Sequence, residues 1–211
     1  MKIVCISDTH NLHWDLKVPE GDLLIVAGDI SGRGTMPEVL GFNKWLETLS
    51  HPHKVVIAGN HDFGFEREPS LFRSLITNAT YLQNEETEIE GLKIWGSPVT
   101  PWFFNWAFNV PRSHEIAAIW ARIPEDTDIL ITHGPPFGIL DELLHDEPVG
   151  CEALAERVAQ IQPRLHVFGH IHEAAGRLVK EWPSGKQTTF INASQLDRQY
   201  RPNGNIQVVE L

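Results

Sequence analysis

Asn60-His61-Asp62 sets an amide, an imidazole and a carboxylate side by side, directly after Val55-Val56-Ile57-Ala58-Gly59. The apolar, β-branched run reads as a buried strand. The three polar side chains therefore leave its end together, held by a sheet yet open to solvent, where ligand sites of α/β sheets lie. The arrangement recurs. Lys2–Ile6 runs into Ser7-Asp8-Thr9-His10, and Leu23–Ala27 into Gly28-Asp29. Ile129-Leu130-Ile131 runs into Thr132-His133-Gly134, and Leu165–Phe168 into Gly169-His170-Ile171-His172. A single Asp or His after a strand is an ordinary cap or turn residue. Five such endings in one chain are not explained by turns.

Asp8, His10, Asp29, Asn60, His133, His170 and His172 offer carboxylate, imidazole and amide ligands. That mixture suits borderline divalent ions, with manganese in front of iron, zinc, nickel or cobalt, better than magnesium or calcium. One zinc site stops at about four ligands, so this set fits two ions sharing a bridging carboxylate. Two metals roughly 3.5–4 Å apart can clamp a phosphoryl group and generate a hydroxide between them. Asp8-x-His10 and His170-x-His172 each place two side chains on one side of an extended strand end. Asn60 can give a metal only its carbonyl oxygen. His61 then points elsewhere and is free for proton transfer.

The elements that must position these residues follow from the pattern. Asn11 to Gly21 is expected as a loop, and Ile30-Ser31-Gly32-Arg33-Gly34 as a flexible polar loop. Thr35 and Glu38 have capping-box spacing, opening a helix over about 35–49 with Val39, Phe42, Leu46 and Leu49 on one face. With the strands on either side this makes a β-α-β unit and a parallel pair. Pro69 starts a short helix to residue 76, and 87–95 reads as a hairpin turning near Glu90-Gly91. Helices are expected over 113–122 and 151–161, then strands over 174–181, Gln187–Asn192 and 205–209. Alternating helix and strand early, with hairpins late, predicts an α/β fold of two mixed sheets packed together with helices outside.

Bulk properties set limits. The chain has 211 residues and shows no linker, repeat or low-complexity tract, so one domain over 1–211 is expected. A net charge of −11 argues against a groove for long nucleic acid, which needs clustered Lys and Arg. It leaves room for a small phosphorylated substrate, because bound cations invert the local field. Met1-Lys2-Ile3 leads straight into a strand, leaving no room for a signal peptide, and no apolar run is long enough to span a bilayer. Two cysteines are too few for a disulfide framework, so a cytoplasmic protein is expected.

Taken in order, Asp8-x-His10, Gly28-Asp29, Gly59-Asn60-His61-Asp62, His133-Gly134 and Gly169-His170-x-His172 resemble the five motifs of the calcineurin-like metallophosphoesterase superfamily. Within it, Gly134-Pro135-Pro136 and the aromatic segment 102–108 resemble the small metallophosphoesterase-domain phosphodiesterases. The resemblance implies a four-layer α/β/β/α sandwich with a dinuclear site at the strand ends. It implies one ion on Asp8, His10, Asp29 and His172, and a second on Asp29, Asn60, His133 and His170. It further implies that a hydroxide between the ions attacks phosphorus in line, and that His61 protonates the leaving oxygen or steadies the phosphate while Asp62 orients His61. The implied activity is hydrolysis of a small phosphodiester, of nucleotide or cyclic-nucleotide type. A phosphomonoesterase or pyrophosphohydrolase is the near alternative, and a metal-bound interaction scaffold the non-enzymatic one.

Other residues are weighed against plainer roles. Arg33 can reach a phosphate but reads first as a solvated loop residue, and Asn11 and His13 as surface or packing residues. Trp102, Phe103, Trp106 and Phe108 are expected to fold under a long loop as a satellite cluster. In the alternative reading Trp102 and Phe103 wall the substrate. His51, His53, His114, His145 and His166 lack strand-end settings, and His166 reads as a core residue with its hydrogen bonds satisfied.

Overall fold

In the computed structural model, which describes residues 1–143 and 147–211, the alternation of side chains along each strand decides the layering. Along β1 (Lys2–Ile6), Ile3 and Cys5 face one way, Val4 and Ile6 the other, and all four are buried. A strand buried on both faces needs cover on both. β2 (Leu23–Ala27) and β3 (His53–Ile57) share that character. The remaining strands are β4 (Thr80–Tyr81), β5 (Glu85–Ile89), β6 (Leu92–Ser97), β7 (Thr100–Pro101), β8 (Asn109–Val110), β9 (Ile129–Thr132), β10 (Leu165–Phe168), β11 (Gly176–Glu181), β12 (Gln187–Asn192) and β13 (Gln207–Glu210). The helices are α1 (Met36–Glu47), α2 (Phe63–Arg67), α3 (Pro69–Leu75), α4 (His114–Trp120) and α5 (Glu152–Ile161).

One sheet has the order β13-β1-β2-β3-β4 and the other β11-β12-β10-β9-β6-β5. Each has a parallel centre, with β13 in the first and β5 and β11 in the second pairing antiparallel at the edges. The sheets meet through Ile3, Ile25 and Ile57 on one side and Ile131, Val167 and Ile191 on the other. α1 covers the outer face of the first sheet with Val39, Phe42 and Leu46. α4 and α5 cover the second with Trp120, Leu154 and Val158, packed on Leu130, Phe168 and Phe190. This is the α/β/β/α sandwich that the motifs imply. Its apolar layers pin the strands: a residue such as Phe168, fully buried two positions before His170, contributes about 3–5 kcal/mol against truncation to Ala.

Local differences have local causes. Glu38 accepts from both the N–H and Oγ1 of Thr35, at 2.8 and 2.7 Å, so α1 opens where expected. It ends at Glu47, short of residue 49, where Thr48 Oγ1 bonds back to the Trp45 carbonyl at 2.7 Å. Glu90 and Gly91, at φ 50° and 78°, form the positive-φ turn of the β5–β6 hairpin. A 3₁₀ turn, Leu12–Asp15, lies within the stretch 11–21 expected as a loop, a second, His172–Ala174, delays the strand expected from residue 174, and α2 fills a stretch for which the pattern gives no element. Among the described residues no helix is long and apolar enough to cross a membrane.

Candidate metal centre

Parallel strands point one way, so the carboxyl ends of β1, β2 and β3 lie along the same rim as those of β9 and β10. Their loops are stitched together there. Asp8 N–H donates to the Gly28 carbonyl at 3.0 Å, His10 N–H to Asp29 at 3.0 Å, and Gly169 N–H to His133 at 2.9 Å. Asp8, His10, Asp29 and His170 all have positive φ, between 40° and 69°. Such backbone is costly and persists where its surroundings over-determine it. Gly59 and Gly169 permit the close approach: a Cβ on Gly59 would overlap Asp29 Oδ1, and one on Gly169 would overlap Asp8 Oδ2.

Three overlapping groups bring metal-competent atoms within 4.8 Å of one another: Asp8, His10 and His172; His10, Asp29 and His61; Asp8, Asp29 and His133. His172 Nε2 lies 3.5 Å from Asp8 Oδ1, and His133 Nε2 lies 3.4 Å from Asp29 Oδ2. Asn60 Oδ1 meets the same His133 nitrogen at 2.9 Å. His170 falls outside the three groups, with its ring 5.1 Å from that of His133. Backbone carbonyls select the presented nitrogen. Nδ1 of His133 faces Ala27 O at 2.9 Å, Nδ1 of His172 faces Asp197 O at 3.2 Å, and Nδ1 of His61 faces Gly32 O at 3.1 Å. A carbonyl only accepts, so each Nδ1 carries the proton and each Nε2 is left for the centre.

The charges fit a cation. Burial would raise the Asp8 carboxyl, but bonding to His172 and the nearby imidazoles hold it well below the usual carboxylate range. Asp29 is likewise held low by His133 against the cost of burial. Burial would lower His133 and His172, yet Asp29 and Asp8 respectively hold each at about 9. Burial and the His133 charge push His170 down to about 3, leaving a neutral ligand. Both ring nitrogens of His10 are buried and lack a hydrogen-bond partner among the described residues. An orphaned imidazole beside two buried carboxylates is a donor set that divalent transition ions fit.

Asp62 has a different neighbourhood from the expected one. Its buried carboxylate accepts from Gly59 N at 2.8 Å, Ile30 N at 3.2 Å, Ser31 N at 3.1 Å and Ser31 Oγ at 2.5 Å. It therefore ties the loop after β2 to the loop after β3. Gly32 O, not Asp62, meets the His61 ring. The loop 30–34, expected to be flexible, is pinned by this carboxylate and by Glu38, with Ile30 and Ser31 fully buried. Burial and the Asp29 charge push the Asp62 carboxyl up to about 7, while the donors from Ser31 and Gly59 pull it back.

The aromatic segment does not fold under as one cluster. Parallel pairing of β7 with β8 pinches its base into a closed loop whose tip projects outward. Phe108 packs with the outer core of the first sheet, while Trp102 and Phe104 are exposed. Trp106 stacks on His61 at 4.3 Å, and Phe103 tilts against His170 at 5.2 Å. Trp102, Phe103 and Pro135, together with His170, line a cleft of about 520 Å³.

Arg33 is exposed. Asn11 bonds Glu38 at 2.8 Å, and His13 packs against Phe42 and Trp45. His53 faces Glu90 at 3.5 Å, His114 is exposed, and both nitrogens of buried His51 lack a hydrogen-bond partner among the described residues. His145 lies outside the described residues. His166 bonds Thr132 through Nε2 at 2.9 Å, but its Nδ1 has no partner among the described residues, so it is only half satisfied there.

Three neighbours of the centre go unnoticed in the sequence. Ser194 Oγ donates to Asp8 Oδ2 at 2.7 Å. The apolar Phe190-Ile191 run before it carries the same strand-end signal as the motifs. Tyr200, with its ring 5.0 Å from His10, and the Asp197 carbonyl stand on a turn with no such signal.

Comparison with known proteins agrees with this geometry. The profile of the family described as calcineurin-like phosphoesterase matches residues 1–174. Human "Metallophosphoesterase domain-containing protein 1" is 41% identical over 235 residues, covering 100% of this chain and 71% of that protein. A Synechococcus protein described as a probable cyclic nucleotide phosphodiesterase is 27% identical, covering 76% of this chain and 61% of its own. The crystal structure of TT1561 of Thermus thermophilus superposes with a TM-score of 0.61 at 14% identity, covering 99% of this chain and 98% of that one.

Proposed function

The chain belongs to the calcineurin-like phosphoesterase family, and from that premise we propose that it hydrolyses a small phosphodiester of nucleotide or cyclic-nucleotide type, in the cytoplasm. Metal-dependent phosphoester hydrolysis is the chemistry of the family, which uses a dinuclear divalent centre. The observation that carries the reading to this chain is the convergence of Asp8, His10, Asp29, His133 and His172 on one rim, with the His10 nitrogens unpartnered among the described residues.

In this reading Asp8, His10, Asp29 and His172 hold one ion, and Asp29, Asn60, His133 and His170 hold the other, with manganese favoured at both. When bound, the ions supply a nucleophile from water at neutral pH and offset the charge on the phosphoryl oxygens. The residues of the chain do the rest. His61, with Nδ1–H fixed on Gly32 O, turns Nε2 toward the centre. In its cationic form it gives the Nε2 proton to the departing oxygen. Asp62 keeps the loops that carry Asp29, Asn60 and His61 at a fixed spacing. Trp102 and Phe103 take a planar substituent of the ester in the cleft beside His170, and Arg33 adds positive charge at the rim. The cleft supports a diester, since it offers a place for a second substituent. The distant relative described as a cyclic nucleotide phosphodiesterase supports the same choice.

The test is hydrolysis of bis(p-nitrophenyl) phosphate against p-nitrophenyl phosphate by metal-free protein, with Mn, Ni, Co, Zn or Mg added back in turn. Metal-dependent turnover favouring the diester is expected. Preference for the monoester would replace the diester reading with a phosphomonoesterase. Failure on both substrates with two ions bound would sink the generic esterase assignment.

A further inference from the structure

Eleven non-glycine residues among those described have positive φ, and Asp8, His10, Asp29, His170 and Tyr200 all lie in or against the metal centre. Asp and His tolerate such backbone, but for a bulky ring it is uncommon and needs surroundings that enforce it. Here the surroundings are a tight turn. The Asp197 carboxylate accepts from Gln199 N at 2.8 Å, Arg201 N at 3.0 Å and Arg201 Nε at 2.8 Å. Tyr200 N–H donates to the Asp197 carbonyl at 2.9 Å, and Leu196 pairs with Pro202 across the base. The same Asp197 carbonyl faces Nδ1 of His172 at 3.2 Å, so the turn is hooked to a candidate ligand.

The ring stands edge-on to His10 at 5.0 Å and to His172 at 5.5 Å, yet the residue remains 50% exposed. The side-chain hydrogen bonds of the turn are made by Asp197, Gln199 and Arg201, and none by the Tyr200 hydroxyl among the described residues. A phenol of ordinary pKa, about 10, is a hydrogen-bond donor at neutral pH. The His61 ring also stands edge-on to His10, at 4.6 Å. A tetrahedral anion bound beside His10 would thus have both His61 and Tyr200 as neighbours.

We infer that Tyr200 is a substrate-binding residue of this centre, its hydroxyl donating a hydrogen bond to a non-bridging phosphoryl oxygen on the His10–His172 side. The inference rests on the phosphoesterase reading above. It is tested by calorimetric titration of the manganese-loaded full chain with inorganic phosphate, for the parent protein, Tyr200→Phe and Tyr200→Ala, with bound manganese counted in each. Removing a hydrogen bond to a charged acceptor weakens binding roughly tenfold or more. Tyr200→Phe is therefore expected to weaken phosphate by that factor with manganese unchanged, and Tyr200→Ala by a similar factor. The KM for diester and monoester would rise together, because the phosphoryl oxygen is common to both. Unchanged phosphate affinity in Tyr200→Phe would overturn the inference and leave the phosphoesterase reading standing. Loss of manganese in that variant would also overturn it, making Tyr200 a support of the ligand shell. Absence of phosphate binding by the metal-loaded parent protein would overturn both.

Discussion

His61 and Trp106 lie ring on ring, with centroids 4.3 Å apart and planes 29° from parallel. The Gly32 carbonyl holds the ring's Nδ1 edge at 3.1 Å, and Asp29 Oδ1 holds the backbone N–H of His61 at 2.8 Å. The imidazole is thus fixed by face, edge and main chain, which leaves Nε2 one direction to point. A stack of this kind contributes about 0.5–1.5 kcal/mol beyond its buried area. Trp106→Ala is expected to lower kcat roughly three- to tenfold with KM and metal content unchanged, and Trp106→Phe to retain most of the rate. A full kcat in the Ala variant would reduce the stack to packing.

His61 and Asp29 are separable by metal content. Asp29 belongs to two of the three ligand groups and is buried, so Asp29→Ala should release metal and abolish turnover together. His61→Ala should keep both ions and lose roughly 10²–10⁴-fold in kcat, the range of general acid–base help. The two variants are compared by metal analysis and steady-state kinetics on one preparation. Metal loss in His61→Ala would move His61 into the ligand shell, where its grouping with His10 and Asp29 would place it.

Asp62 accepts four donors and offers none, so an amide cannot replace it. In Asp62→Asn the NH₂ group must face N–H or O–H donors, leaving two of them unmet at about 1–3 kcal/mol each. A loss of roughly 2–5 kcal/mol in urea unfolding is expected, with or without chelator present. A variant of parental stability but low kcat would return Asp62 to the role of orienting His61.

The strand-end chemistry was legible because it rests on local signals. Short β-branched runs such as Val55-Val56-Ile57 mark buried strands, and the residue after each run is read directly. Two packed sheets with helices outside follow from helix alternating with strand early and hairpins late, and the four-layer order from the family resemblance. What stayed hidden depends on pairing across the chain. Trp106 reaches His61 only because β7 pairs with β8 and closes the loop between them. Tyr200 reaches His10 from a turn 190 positions away, held by Asp197. Asp62, expected from the family resemblance to orient His61, meets other partners. Its side chain turns instead toward Ile30 and Ser31, across to the neighbouring strand.

His166 makes acid sensitivity a property of the second core. It is fully buried between Phe168 and Phe190, with ring centroids at 5.0 and 5.7 Å. Thr132 Oγ1 gives its own proton to Gly134 O at 2.7 Å, so it can only accept from His166 Nε2, and Nδ1 is left bare among the described residues. Burial pushes the imidazole down to about 3, against about 6.5 in the unfolded chain. Between those values the unfolded chain binds a proton that the folded chain refuses. Stability therefore falls as pH falls through this window, by about 1.4 kcal/mol per unit once well below 6.5, and the group adds no slope above it. His13, pushed down to about 4 by burial, acts with the same sign over a shorter span. His166→Gln keeps a donor for Thr132 and removes the titration. Urea unfolding in chelator, which takes metal release out of the comparison, should show the parent losing about 2 kcal/mol more than the variant between about pH 7 and about pH 5. Equal losses would mean that the folded core admits the proton, and that the bare Nδ1 reaches water.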